Sequence, residues 1–146
     1  FFWWGLVYSL APDKETDPNV REKHRDEGLV LVEEKGGANG MQKYLEKTKK
    51  FYVFKQFANY IWKGSKRVEI ESDSDLEVSA YRTYEGTRLV VVAINPTESP
   101  VSLKLDLKDG FSAKRAFQTD RTLNCQSVPL ASPLPPHSIR TFVCLR

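Results

Sequence analysis

The sequence predicts a mainly β protein in which one buried strand, a long polar loop and one helix precede an antiparallel β-sandwich. Two observations support this prediction. Apolar residues recur with a helical period in the segment from Thr48 to Ile61. After Gly64 they alternate with polar residues in short segments separated by turn residues, and six or seven such strands with no helix between them are typical of a sandwich.

Length and composition limit the class of protein further. The chain has 146 residues, of which 40% are hydrophobic and 28% are charged, so its composition is that of a globular protein. The formal net charge of +3 is too small to attract nucleic acid or an anionic membrane surface. The sequence also lacks a run of the ~18 apolar residues that would span a bilayer. We therefore expect neither a nucleic-acid partner nor a membrane partner.

The first element is a strongly apolar segment. It opens on two phenylalanines and two tryptophans, Phe1 to Trp4, and stays nearly apolar up to Leu10. Such a run is costly to expose to water and is typical of a strand buried on both faces of a parallel sheet. A buried strand at the first residue indicates the middle of a larger structure, so we interpret the chain as the C-terminal part of a longer protein.

The second element, between residues 13 and 47, is polar and mixed in charge. Four glycines, Gly28, Gly36, Gly37 and Gly40, divide it. This composition predicts a long surface loop with one hairpin, in which only Leu29–Val32 has strand character.

The third element is a helix predicted from Thr48 to Ile61, with Thr48 as its N-cap. Its apolar stripe is expected to face the core, and Phe54 and Phe57 are expected to be among the most buried side chains. Gln56 and its polar neighbours are expected to face solvent.

The remaining elements are short strands in which apolar and polar residues alternate or the apolar run is continuous. The strand candidates are Val68–Ile70, Leu76–Tyr84, Arg88–Asn95, Val101–Leu107, Lys114–Thr119, Leu123–Val128 and Ser138–Leu145. A proline-rich loop before the last candidate separates it from the others.

This order of elements is that of the end of an α/β barrel followed by an appended sandwich. We therefore predict two domains. Residues 1–63 are expected to hold the last β/α unit of a truncated (β/α)8 barrel, with a long loop inserted at about 11–47. Residues 64–146 are expected to form the C-terminal antiparallel sandwich.

Six segments, taken in order, form a pattern that covers nearly the whole chain. They are Phe1-Phe2-Trp3-Trp4-Gly5-Leu6, Lys50–Ile61, Gly64–Val68, Ser79-Ala80-Tyr81, Leu89–Asn95 and Pro136–Val143. This ordered set resembles the C-terminal part of glycoside hydrolase family 30, and the polar loop is its divergent part.

The resemblance implies a secreted retaining β-glycosidase of the xylanase, β-1,6-glucanase or glucosylceramidase type. Two glutamates catalyse the reaction in that family, and retention requires their carboxyl groups roughly 5–5.5 Å apart. Both would lie upstream of Phe1, so we expect no catalytic residue in this chain and no activity from the chain alone. The expected parent is an enzyme that acts on plant or fungal cell-wall polysaccharide, with xylan favoured, and the sandwich is its structural appendage.

Three aromatic residues, Trp3, Trp4 and Tyr8, are expected near the substrate of the parent enzyme. Active sites of barrels form at the C-terminal ends of the strands, and an indole face fits the apolar C–H face of a pyranose ring. Because side chains alternate along a strand, one tryptophan is expected to face the site and the other the helices. The expected partners are the polysaccharide substrate and the missing N-terminal barrel of the same chain. No cofactor is expected, and no metal, because His24 and His137 have no ligand-like neighbours at metal spacing.

The two cysteines, Cys125 and Cys144, are too far apart in sequence for a CxxC motif. Both fall in predicted strands, and a secreted location permits oxidation. We therefore expect a disulfide between them, closing a loop that would stabilise the fold by about 3 kcal/mol.

A second hypothesis is a non-catalytic β-sandwich module that binds glycan or protein. An exposed line of aromatic residues on one sandwich face would favour this function. Tyr81, Tyr84, Phe111 and Phe117 are scattered without such spacing.

Overall fold

The computed structural model describes residues 6–10, 28–37 and 40–146, and the mainly β fold class is confirmed. The described elements are β1 Val7–Leu10, β2 Val30–Gly37, β3 Gly40–Lys47, α1 Lys49–Ala58, β4 Lys66–Val68, β5 Glu77–Arg82, β6 Arg88–Asn95, β7 Ser112–Thr119, β8 Asn124–Val128 and β9 Ser138–Leu145. The chain divides into two compact units, Phe1–Tyr52 and Val53–Arg146.

The first unit contains a three-stranded sheet in the order β1-β2-β3. β1 runs parallel to β2, with Val7 opposite Val30, and β2 and β3 form an antiparallel hairpin. The hairpin expected in the polar segment is therefore confirmed, although its first strand continues to Gly37 instead of ending at Val32. Leu29 and Leu31 are buried, which explains why this part of a polar segment has strand character.

The helix α1 begins directly after Thr48, as the sequence predicts. The Thr48 hydroxyl accepts a hydrogen bond from the Phe51 N–H at 3.4 Å, which is the expected N-cap bond. The same hydroxyl donates to the Leu29 carbonyl at 2.9 Å. Thr48 thus satisfies one of the free N–H groups of the first helical turn and fixes the place where the helix starts.

The buried side of α1 differs from the predicted one. Gln56 is completely buried, whereas Phe54 and Phe57 are only half-buried. With its oxygen facing Thr119, the Gln56 amide accepts from the Thr119 N–H at 3.1 Å and donates to the Thr141 hydroxyl at 2.7 Å. The Thr141 hydroxyl donates to the Gln56 carbonyl at 3.0 Å. The predicted deep burial of Phe54 and Phe57 is wrong, because the sheet presents hydroxyl groups to this side of the helix.

The second unit contains a six-stranded sheet in the order β4-β5-β6-β9-β7-β8. Every neighbouring pair in it is antiparallel. β9 lies between β6 and β7, and it pairs with β6 over its full length, from Arg88 opposite Leu145 to Asn95 opposite Ser138. The centre of the sheet is therefore built by strands that are distant in sequence.

Side-chain alternation divides this sheet between two hydrophobic cores, one on each face. On the first, which we call the loop-covered face, the buried residues are Leu76, Ala80, Val91, Ala93, Phe111, Ala116, Leu134, Phe142 and Cys144. On the second, the helix-bearing face, they are Tyr60, Val90, Val92, Ile139 and Val143, with Phe57 and Ile61 packed against them. β6 and β9 contribute to both cores, which explains the continuous apolar run of β6.

The predicted strand Val101–Leu107 is not a strand. Its backbone makes one isolated bridge, in which the Val101 N–H donates to the Leu134 carbonyl at 2.9 Å and the Leu134 N–H donates back at 2.8 Å. The alternation is nevertheless real, since Leu103, Leu105 and Leu107 pack against the core of the loop-covered face. An extended segment that lies on a sheet has the same period of two as a strand within one, so the pattern alone does not distinguish them.

Candidate functional site

Of the three aromatic residues expected near substrate, Tyr8 lies within the described residues. Trp3 and Trp4 are outside the described residues. Tyr8 lies on β1, where its backbone is paired with Leu31 of β2. Their role in substrate binding stays a prediction.

The predicted disulfide is wrong, because Cys125 and Cys144 are both free thiols. Cys144 belongs to the core of the loop-covered face, and Cys125 packs against the core of the helix-bearing face. They also lie at opposite ends of the strands. Cys125 follows Asn124, whose partner Thr119 is also opposite Ile139, near the start of β9, whereas Cys144 lies near the end of β9. Five residues of strand span about 16 Å, far beyond the ~7 Å limit between bonded cysteines. Burial raises the pKa of the Cys144 thiol to about 11, which keeps it protonated.

The described part of the chain shows no group of three or more His, Cys, Asp or Glu side chains that could hold a metal ion. None of its helical segments has the length and apolar character needed to cross a membrane.

Two aromatic side chains stack on the helix-bearing face, and one of them, Tyr60, comes just after α1. The ring of Tyr60 stacks on Phe117 of β7, with 4.8 Å between ring centroids and 25° between ring planes. Its hydroxyl lies 3.5 Å from the Cys125 sulfur. Burial, together with the neighbouring thiol, raises the pKa of Tyr60 well above its usual value. Tyr60 is therefore a neutral residue that anchors the chain after α1 to the sheet.

Two residues after this anchor, an indole lies at the surface. Trp62 is 54% exposed, and the guanidinium carbon of Arg88 lies 4.3 Å from the centroid of its ring system. This distance is that of a cation–π interaction. The buried Nε of Arg88 has no hydrogen-bond partner among the described residues. Burial, and then the nearby charge of Arg115, lowers the pKa of Arg88 below its usual value.

A second polar group lies inside the loop-covered face. Arg140 is 1% exposed, and its Nε donates to Gln118 Oε1 at 3.0 Å. Its terminal nitrogens donate to the carbonyls of Ser132 and Pro133 and again to Gln118. The amide of Gln118 donates in turn to a carboxylate oxygen of Asp120. This network connects the proline-rich loop before β9 to the turn after β7.

Asp120 receives further hydrogen bonds within that turn. Its second oxygen accepts from the N–H groups of Thr122 and Leu123, both at 2.7 Å. Partial burial alone would raise the pKa of the carboxyl group, but the bonds from Leu123, Gln118 and Thr122 outweigh it and lower the pKa below the ordinary 3.8. The ionised carboxylate is thus the form that the fold stabilises.

This lowered pKa predicts a loss of stability in acid. Asp120 makes its full contribution to the free energy of unfolding above its unfolded-state pKa. This contribution is lost as the pH falls through the lower, folded-state pKa. We expect the melting temperature of the unmodified chain to fall more steeply between about pH 5 and about pH 2 than that of Asp120→Asn. Asp73→Asn, at an exposed position, is the matched control and should keep the steep fall. If the melting temperatures of the unmodified chain and Asp120→Asn fall equally with pH, Asp120 does not stabilise the fold through its ionised carboxylate.

The larger unit is an antiparallel β domain in which one six-stranded sheet lies between two hydrophobic cores. The family model for the glycosyl hydrolase family 30 beta sandwich domain matches residues 64–142. The chain belongs to glycosyl hydrolase family 30. The suspected resemblance to the C-terminal part of this family is confirmed.

Solved structures agree with the family. The chain is similar to a family 30 subfamily 8 xylanase, Xyn30A, from Clostridium acetobutylicum, with 29% identity and a TM-score of 0.62 over 69% of this chain and 29% of that one. It is also similar to a GH30 endoxylanase from Clostridium papyrosolvens, with 33% identity and a TM-score of 0.58 over 68% of this chain and 28% of that one.

A third structure, a conserved exported protein from Bacteroides fragilis, shares the fold, with 21% identity and a TM-score of 0.67 over 80% of this chain and 26% of that one. The chain thus spans less than a third of the length of each of these structures. No curated protein matches it.

Sequence reasoning missed two features of the sandwich. The first is the burial of Gln56 against Thr119 and Thr141, and the second is the contact of Arg88 with the ring of Trp62. Both bring together residues that are distant in sequence. The available sequence signal for the contact between Arg88 and Trp62 was the tryptophan itself, which lies between the helix and the first strand of the sandwich. Aromatic spacing along the strands could not reveal it, because Trp62 lies in the connection before β4.

Proposed function

We propose that this chain is the C-terminal part of a secreted retaining β-glycosidase that hydrolyses xylan. The observation that supports the proposal is the match of the sandwich domain to family 30, together with 33% identity to an endoxylanase over 68% of the chain. A cell-wall polysaccharide is too large to enter a cell, so the enzyme that cleaves it acts outside. Secretion is therefore part of the same proposal.

Under this proposal residues 1–63 supply the last β/α unit of the catalytic barrel and residues 64–146 supply the sandwich. The nucleophile and the acid/base are two glutamates of the preceding barrel, because retention needs a pair of carboxyl groups at roughly 5–5.5 Å. Trp3, Trp4 and Tyr8 contact the sugar at the end of the last barrel strand. The sandwich, with its two cores, is the rigid appendage of that barrel.

The test compares this chain with the full-length enzyme on xylan, β-1,6-glucan and aryl β-glycosides. The full-length enzyme is expected to release reducing ends from xylan, and the chain of 146 residues is expected to release none. The reason is that nucleophilic and acid–base catalysis both need positioned groups facing one anomeric carbon. A full-length enzyme that prefers β-1,6-glucan would contradict the xylanase assignment. Turnover by the chain alone, abolished by changing a carboxylate within it, would contradict the proposed location of the catalytic residues.

A further inference from the structure

Three arginines and one tryptophan lie together on the helix-bearing face. Arg67 of β4 is opposite Tyr81 of β5, and Arg115 of β7 is opposite Val143 of β9. Tyr81 and Val143 are both opposite Val90 of β6, so both arginines lie in one row across the sheet. Their side chains share the face of Val90, since paired residues point to the same side.

The third arginine, Arg88, lies two residues before Val90 and therefore points to the same face. It is two strands away from Arg67 on one side and from Arg115 on the other. With strands about 4.8 Å apart, each lateral separation is about 10 Å, within the span of two extended arginine side chains. Trp62 contacts Arg88 and completes what we call the arginine–indole patch, which consists of Trp62, Arg67, Arg88 and Arg115.

The charges of the patch are not neutralised within the described part of the chain. None of the three arginines forms an ion pair with a described residue. Burial first, and then the charge of Arg115, lowers the pKa of Arg88, so the two guanidinium groups repel each other. Repulsion between guanidinium groups costs stability, and an anion placed between them would remove that cost. Arg140 differs, because every one of its nitrogens is satisfied within the fold.

The chemistry of the patch defines its ligand. Guanidinium groups form two parallel hydrogen bonds with planar or tetrahedral oxyanions such as carboxylate and phosphate, because their planar fork matches the oxygen spacing of both. The indole of Trp62 offers a flat apolar surface with more than half of its area open to solvent. A pyranose ring that carries a carboxylate matches both features, because its C–H face can lie on the indole while its carboxylate reaches an arginine.

We propose that the arginine–indole patch binds an acidic polysaccharide, one whose sugar rings carry carboxylate groups. The choice of a polysaccharide, and with it of the carboxylate as the charged group that sugar rings commonly carry, rests on the proposed function. The requirement for an anion rests on the three arginines, which form no ion pair with a described residue. This binding surface lies on the sandwich and needs no catalytic residue, so binding can be measured without hydrolysis. Failure of the patch and failure of the proposed enzyme activity are therefore distinguishable.

The experiment measures binding of the 146-residue chain to soluble glucuronoxylan and to the same polymer after reduction of its carboxyl groups, by affinity electrophoresis. We expect the reduced polymer to bind about tenfold more weakly, since it offers no partner for the guanidinium groups. Trp62→Ala, Arg88→Gln and Arg115→Gln should each weaken binding of the untreated polymer at least about fivefold. Arg115 is exposed, so its replacement tests the proposal even where a change at Trp62 or Arg88 disturbs folding.

The matched controls are Arg121→Gln and Tyr84→Ala, which remove an exposed cation and an exposed aromatic ring elsewhere. Both should leave the affinity unchanged. Equal affinity for the untreated and the reduced polymer would overturn the proposal, as would unchanged affinity in Arg115→Gln. Binding of heparin or DNA as tightly as glucuronoxylan would also overturn it, because the surface would then be a general polyanion site.

Discussion

Arg140→Met is expected to lower the free energy of unfolding by about 3–5 kcal/mol. The guanidinium group of Arg140 holds Gln118 and the carbonyls of Ser132 and Pro133 at once, in a position that is 1% exposed. Methionine fills a similar volume but donates no hydrogen bond. The amide oxygen of Gln118 would then stay buried without that donor, and the proline-rich loop would lose the two hydrogen bonds that Arg140 gives to its carbonyl groups.

Urea unfolding followed by circular dichroism measures this effect. Arg121→Gln removes a positive charge from an exposed side chain and is expected to change the free energy of unfolding by less than about 0.5 kcal/mol. A loss below about 1 kcal/mol in Arg140→Met would show that the loop is held by other contacts, such as the bridge between Val101 and Leu134.

Phe142→Ala is expected to cost about 3–5 kcal/mol, because it opens a cavity in the core of the loop-covered face. Phe142 is 2% exposed and lies on β9, at the centre of the sheet, where neighbouring backbones have little freedom to close the space. Phe54→Ala is expected to cost clearly less, since Phe54 is only half-buried. The helical pattern of the sequence predicts a large cost for Phe54→Ala instead, because it places Phe54 among the most buried side chains.

The measurement is the shift in the midpoint of urea unfolding at constant slope, since a changed slope would indicate an altered unfolded state. Tyr84→Ala removes an aromatic side chain that is 82% exposed and serves as the control for loss of ring mass. If Phe54→Ala proves more destabilising than Phe142→Ala, the side of α1 assigned as buried is wrong.

The sheet was largely predictable because its strands carry their own signal. The last strand is found at Ser138–Leu145, as predicted, and the run from Leu89 to Ile94 lies wholly within β6. Here local alternation or continuous apolarity reports directly on burial, since each residue of a central strand meets one of two cores.

The interior contacts of polar residues were not predictable. Gln56 is buried because Thr119 and Thr141 supply its hydrogen bonds, and these partners are 63 and 85 residues away. The helical period places Gln56 on the polar side, and only the tertiary partner reverses that assignment. The disulfide failed for a related reason, because sequence separation carries no information on which face and which end of a sheet two cysteines occupy.

The strand order also constrains how the protein can be made. β4, β5 and β6 can form one half of the sheet and β7 and β8 the other, but β9 alone joins them. During synthesis, most of the larger unit leaves the ribosome before the strand that seals both cores is complete. Half-sheets with open edges are prone to pair with other chains, and long-range pairing is slow. Nascent chains of this protein are therefore most exposed to misassembly just before β9 emerges, and their protection at that stage falls to chaperones.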